Sequence, residues 1–293
     1  MDHPEQSLSW WQTLIKRTLF PLLTSTRTYV PDEVLQNLKI TPKSLDLKTG
    51  DIAGAAGTAR LVPMAANTIL RKPGRHGEKD KKRERMQEEN ADIPVRGNAD
   101  WEEREKKNPD ARFFGAMRVH DIATSYAYCW NLRHQTLWTQ TGPRISSYDT
   151  RLMSHYEGKR IPRYSILTVF EPVKAGCQLD EARPCIVGYQ SDVTPLEDGR
   201  LLVSELNAFF VLASRYGEKP AYTDCDEFVI TLITGSDRQV RIAQSRVNFV
   251  SSTFDVSLSR ILDFETTIEK NFEDFITLVG WFACSVAPQT SWA

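Results

Sequence analysis

From residue 183 onward the apolar and polar positions fall into regular patterns. Pro184 to Tyr189 reads PCIVGY, an unbroken apolar run with β-branched residues. Such a run suits a strand buried on both faces, and Pro184 fits its first position, where no ladder donor is lost. Gln190, Ser191, Asp192 and then Pro195 end the run, and Asp198-Gly199 marks a turn. From Leu201 the period changes. Leu202, Leu206, Phe209, Phe210 and Ala213 recur at steps of three and four, the mark of one helix face. Leu201, Val203, Val211 and Leu212 are apolar too, so a second face is expected to be covered. Gly217 closes this helix and Pro220 prevents its return. Phe228 to Ile233, FVITLI, is a strand by its β-branched content. Gly235-Ser236-Asp237 reads as a hairpin loop. Val240 and Ile242 then alternate with Gln239, Arg241 and Ala243, which predicts one buried and one wet face.

The flanks extend this unit. Tyr164 to Phe170, YSILTVF, is a further strand ended by Glu171-Pro172, and with PCIVGY it should form a hairpin with a long loop. Phe113, Phe114, Met117, Ile122, Tyr126 and Trp130 predict one or two helices through about Trp138, and Leu152 to Tyr156 a short one. Ser257 to Phe264 is short and mixed. Phe272 to Cys284 is an apolar helix expected to cover the remaining face of the sheet. It would span only about 20 Å, too short for a bilayer core. The fold class is therefore α+β, a mixed or antiparallel sheet covered by helices, over residues 113–293.

Residues 1–30 and 31–112 differ in character from that domain. Trp10, Trp11, Leu14, Ile15 and Leu19 give a helical stripe within Ser7 to Leu23, with Pro21 to kink or end it. Three readings of this amphipathic helix stand: docking on the main domain, an interfacial anchor, or a mitochondrial presequence. Residues 31–112 read as mostly disordered linker. A short helix is expected at Asp32 to Leu38, followed by a flexible loop holding Gly50, Gly54 and Gly57. GDIAGAAG lacks the GK[ST] ending of a phosphate loop and the GxGxxG spacing of a dinucleotide loop. From Arg71 to Arg112 aliphatic residues nearly vanish and charges of both signs mix, a composition that cannot bury enough apolar area to offset its ordering entropy. Lys79 to Arg85 could serve as a nuclear address or contact phosphates, but acidic neighbours interleave with it, so a solvated linker is the expectation.

Composition narrows the picture further. The net charge is −1, so no global field steers the chain toward nucleic acid or an anionic membrane. The five cysteines, Cys129, Cys177, Cys185, Cys225 and Cys284, are widely spaced and form no CxxC pair, which argues against a thiolate zinc site or a disulfide framework. Cys185 and Cys284 stand among apolar residues, as buried inert thiols do. No apolar run is long enough for a transmembrane helix, and no secretory signal is visible. An intracellular setting follows as the expectation, cytoplasmic or nuclear, or mitochondrial if the N-terminal helix is a presequence.

The segments IPRYSILTVF, RPCIVGY, LLVSELNAFF and EFVITLITGSDRQVRIAQSRV, in this order, resemble an uncharacterised domain of filamentous-fungal proteins. The resemblance covers roughly residues 160–264 and rests on hydrophobic patterning. It implies kinship of fold and a fungal origin, and brings no catalytic residues with it. A weaker likeness is to fungal nuclease-like domains of the PD-(D/E)XK class. That likeness implies carboxylates holding a magnesium ion and a lysine positioning the attacking water. Glu171, Asp192 and Glu205 would be its carboxylates. The pattern departs from the class, because no lysine follows Asp192 at the right step and Glu171-Pro172-Val173-Lys174 has the wrong spacing.

Other catalytic sets are missing: there is no GxSxG elbow, Walker loop or kinase signature. His120 and His134 lack a histidine partner at i+4. A thiol pair of Cys177 or Cys185 with His155 is conceivable, with a geometry that spacing does not define. Glu205 and Asn207 read as polar edges of an apolar helix. Arg238, Arg241 and Arg246 read as a positive edge or as charged gatekeepers against edge-to-edge pairing. The expected function is a non-catalytic accessory or interaction protein of a filamentous fungus, with no cofactor and an unidentified protein partner. A link to secondary-metabolite biosynthesis rests on the type of organism and on no residue. The alternatives are a magnesium-dependent nuclease relative and a nucleic-acid-binding protein.

Overall fold

The structure is a computed structural model that describes residues 15–23, 27–70, 111–129, 138–141, 154–155, 163–174, 180, 182–217, 225–264 and 270–287. Its centre is β5 (Tyr164–Pro172), β6 (Cys185–Asp192), β7 (Glu227–Ser236) and β8 (Gln239–Asn248). β5 runs antiparallel to β6, β6 parallel to β7, and β7 antiparallel to β8. The parallel step is possible because helix α4 (Val203–Gly217) carries the chain back between β6 and β7. β9 (Thr253–Leu258) and β10 (Leu262–Asp263) pair with the outer side of β8. At one edge β1 (Lys43–Ser44) adds parallel to β9. At the other, β3 (Trp138–Thr141) and β4 (Ser154–His155) both pair with β5. A mixed sheet with helices on it is the α+β architecture that the patterning implies.

Alternation along the central strands sends side chains to two cores. Ile186, Phe228, Ile230, Leu232, Ala243 and Val247 face α4, with its Leu206, Phe209, Phe210 and Leu212. Cys185, Val187, Tyr189, Val229, Ile233, Val240 and Ile242 face the opposite core with helices α3 (Ala111–Cys129) and α5 (Phe272–Phe282). There Tyr126 meets Phe275 edge-on at 5.4 Å and Tyr189 stacks on Phe282 at 6.0 Å. Thus α5 covers the second face of the sheet, as its apolar run requires, and α3 shares the task. None of the described helices is long and apolar enough to cross a membrane.

Helix α4 is buried all round, with every residue from Leu201 to Ala213 hidden from water. The sheet covers one side. Further cover comes from the N-terminal part of the chain, since Leu22, Val30 and Ile40 join the same cluster, with Val34, Leu35 and Leu38 packed against it. Backbone pairing fixes this strap. Val30 N–H donates to Leu201 O at 2.9 Å and Val203 N–H to Thr28 O at 2.9 Å. Arg163 Nη2 donates to Arg27 O at 2.8 Å. Short helix α1 (Asp32–Asn37) lies within the strap, where Pro31 and Asp32 signal its start.

Several expectations need correcting. Of the stretch 31–112 marked as linker, residues 31–70 are built into the body. They contribute α1, β1, β2 (Leu61–Val62) and α2 (Ala66–Leu70), and bury Leu45, Leu47, Leu61 and Ile69. The glycines that look like a flexible loop have a structural use at Gly50. Its φ is 78°, and a Cβ there would lie 2.1 Å from Leu61 O. Short segments spliced into a sheet by backbone bonds carry too few apolar residues to show a period. Ser154 and His155 form a strand where a short helix is expected. The hairpin turn is Asp237-Arg238, and Gly235 and Ser236 still pair across the ladder. The stretches 71–110 and 130–137, and with them most of the charged linker, Lys79–Arg85 and residues 1–14 of the amphipathic helix, lie outside the described residues.

Fully burying each large apolar side chain of α4 contributes about 1.5–3 kcal/mol, so uncovering one side of it should be disabling. Removal of residues 1–40 is expected to yield a protein that retains far-ultraviolet helix signal, binds a hydrophobic dye and aggregates. A truncated chain that melts cooperatively and near the full-length temperature would contradict the assigned role of the strap.

Candidate functional site

The carboxyl ends of β6 and β7 are where an open α/β sheet usually places its chemistry. In this protein they meet the first turns of α4. The strands bring Gln190, Asp192, Thr234 and Ser236, the helix brings Ser204, Glu205 and Asn207, and Tyr164 and Arg241 come from β5 and β8. All of these are buried. The result is a polar layer inside an otherwise apolar core.

Glu205 and Arg241 dominate it, both with side chains at 0% exposure. Arg241 donates from Nη2 to Glu205 Oε2 at 2.6 Å and from Nε to Oε1 at 3.2 Å, a bidentate fork. Its Nη1 donates to Glu197 O at 2.8 Å. Glu205 Oε2 also accepts from the backbone N–H of Leu202 at 3.0 Å. That bond is the glutamate half of a capping box, placed where the helix has an apolar residue before its first turn. The carboxylate further complements the positive end of the helix. One side chain thus caps α4, neutralises a buried arginine and ties helix to sheet.

Around this pair several of the remaining groups bond to one another. Gln190 Nε2 lies 3.3 Å from both Ser204 Oγ and Thr234 Oγ1. Asn207 Nδ2 donates to the Tyr164 hydroxyl at 2.9 Å. Gln190 Oε1 has no partner among the described residues, and turning the amide over only transfers the deficit to the nitrogen. Asp192 Oδ1 accepts from Thr194 N–H at 2.6 Å. Burial pushes the Asp192 carboxyl above its ordinary range, against the opposing pull of hydrogen bonds from Ser204 and Thr194 and of the Arg163 charge. Burial, with the Asp192 charge second, also raises the Tyr164 phenol.

Two of the three carboxylates singled out in the sequence therefore gather at one end of α4, and the third does not. Asp192 pairs opposite Tyr164, whereas Glu171 sits at the far end of β5, opposite Thr139. At about 3.3 Å per residue the two acids are some 20 Å apart. Glu205 is spent on Arg241 and Leu202. The donor set does not fit a magnesium ion, and among the described residues no three histidine, cysteine, aspartate or glutamate side chains could hold a metal. Of the two thiol pairs with His155, the one with Cys185 is not assembled either. His155 lies opposite Tyr164, at the Asp192 end of the sheet, and Cys185 begins β6 at the other end, about 20 Å away. Burial raises the Cys185 thiol well above its usual value, as befits an inert residue. Cys177 and His134 lie outside the described residues. The His120 ring packs 4.3 Å from Tyr189 and 5.7 Å from Phe282.

The arginines of the hairpin are not gatekeepers. Arg241 and Arg238 are buried, and Arg246 donates to Thr58 O. β8 needs no edge protection because β9 and β10 occupy its outer side. Nor does β8 have the expected wet face, since Arg241, Ala243 and Ser245 point into the α4 core and are hidden. No family model matches the chain, and no curated protein matches it.

Two measurements test the layer. Glu205→Ala or Arg241→Ala alone should cost about 3–5 kcal/mol in urea unfolding, because each leaves an uncompensated buried charge. The double variant Glu205→Leu/Arg241→Met should recover much of that loss. Asp192 gives the pH dependence. A carboxyl raised by folding contributes stability below its unfolded value of about 3.9 and loses it as pH rises through the folded value. Asp192→Asn should therefore be more stable than the parent at neutral pH, with the gap closing as pH falls toward 4. An equal gap at every pH would contradict a buried, reluctantly ionised acid.

Proposed function

We propose that the chain is a non-catalytic accessory or interaction protein, of the filamentous-fungal kind that its core strands resemble. The observation that carries this reading is the commitment of Glu205 to Arg241 and to the Leu202 amide. At the position where such a sheet would present reactive groups, a carboxylate and a guanidinium are locked together out of contact with water. Groups held this way stabilise and specify a fold. A body so built offers its surface to a partner.

The test has two arms on the full-length chain. Duplex and single-stranded DNA are incubated with the protein and magnesium or manganese, beside Asp192→Asn and Glu205→Gln variants. Cleavage no faster than with the variants is expected, and magnesium-dependent cleavage abolished by Asp192→Asn would overturn the reading in favour of a nuclease. In the second arm, proteins cross-linked to the chain in cells are purified and titrated against it. A saturable one-to-one complex with at least one of them is expected, and failure of every candidate to bind would also overturn it.

A further inference from the structure

A cleft of about 490 Å³ opens where the N-terminal strap passes the turn between β6 and α4. That volume lies in the range of small-molecule sites, about 300–1,000 Å³. One wall is Arg27 to Asp32 with Leu35, and the other is Gly199 to Leu201. The turn follows the carboxyl end of β6 beside its parallel neighbour β7, the position that favours ligands in open sheets of this kind. The cleft is separate from the buried polar layer and reaches solvent.

Its chemistry centres on Arg200. The guanidinium carbon stands 3.9 Å from the centroid of the Tyr29 ring, so the cation rests on an aromatic face. Nη1 donates to Glu197 Oε2 at 2.5 Å. Nε and Nη2 have no partner among the described residues, and the side chain is 56% exposed. An arginine held by stacking and by one carboxylate, with donors to spare, is pre-organised to grip an anion. Tyr29 is fixed in turn by its hydroxyl, which donates to Pro195 O at 2.7 Å. Burial and the nearby Glu197 push its phenol up to about 12, so the ring stays neutral beneath the cation.

The remaining lining completes an amphipathic site. Arg27 supplies a second guanidinium, 58% exposed and 3.4 Å from Glu33 Oε1. The glutamates that pair with these arginines, Glu197 and Glu33, stand outside the lining, whose charged residues are Arg27, Arg200 and Asp32. Val30, Pro31, Leu35 and Leu201 present apolar surface. We infer that this cleft binds a small organic anion, a carboxylate or phosphate monoester on an apolar body. Arg200 and Arg27 take the charge and the aliphatic wall takes the body. The inference does not depend on the interaction reading, and either can fail without the other.

The experiment is an NMR titration of the full-length chain with phenyl phosphate, benzoate, benzyl alcohol and inorganic phosphate. Phenyl phosphate or benzoate should shift the amides of Thr28 to Val30 and Gly199 to Leu201, and the Arg200 Nε–H, in a saturable way. Benzyl alcohol should not. Arg200→Gln should weaken the effective anion at least tenfold with little change in melting temperature. Absence of saturable shifts with both aromatic anions would overturn the inference. So would unaltered binding in Arg200→Gln, or inorganic phosphate binding as tightly as phenyl phosphate, which marks an adventitious charge contact only. Should the variant fail to fold, the comparison of phenyl phosphate with benzyl alcohol on the parent chain decides the matter.

Discussion

A helix without a wet side cannot be stabilised by one neighbour. Helix α4 is such a helix, and its need for cover on every side determines what lies around it. The sheet accepts one surface, and a strap from the N-terminal part of the chain helps to hide the rest. The polar atoms that α4 carries inward, Ser204, Glu205 and Asn207, must find partners there, because an unmatched buried polar group costs about 1–3 kcal/mol. Gln190, Tyr164 and Arg241 meet that need from three different strands. The polar layer is thus a condition for burying the helix.

The same demand explains why the sheet is closed so thoroughly. With α4 on one face and α3 and α5 on the other, the central strands have no solvent side. Close approach matters on the second face as well. A Cβ at Gly280 of α5 would come 2.6 Å from Met64 O, and Met64 N–H donates to Gly280 O at 3.0 Å. Trp281 Nε1 donates to Leu47 O at 3.0 Å from within the same core. Segments that look incidental in the chain therefore plug specific gaps between helices and sheet.

The legible parts of the fold were those where period carries meaning. The strands at Tyr164, Cys185 and Phe228, α4 and α5 each have enough apolar residues in register to define an element, and the cover on the second face of α4 follows from Leu201, Val203, Val211 and Leu212. The strap and β1 and β2 were not legible, because two-residue strands and isolated bridges are held by backbone atoms, which leave no trace in side-chain pattern. At the candidate site, Asp192 and Glu205 stood out as carboxylates that the nuclease likeness would use, but their roles depend on groups distant in sequence. Arg241 looks like a surface cation on an alternating strand. Only its cross-strand neighbours and the helix above it show that both faces of β8 are covered. Tyr164 and Gln190 gave no signal beyond membership of a strand.

The contacts that complete the body also fix when it can be completed. Tyr29 bonds to Pro195 across 166 positions, Val62 to Ser285 across 223, and Leu47 to Trp281 across 234. A ribosome releases Tyr29 and Leu47 long before their partners exist. During synthesis the greasy underside of the strap must wait in the open, and the structure can close only after Trp281 and Ser285 have been made. Topologies of this kind assemble slowly, so the nascent chain passes through an extended interval with that apolar surface uncovered.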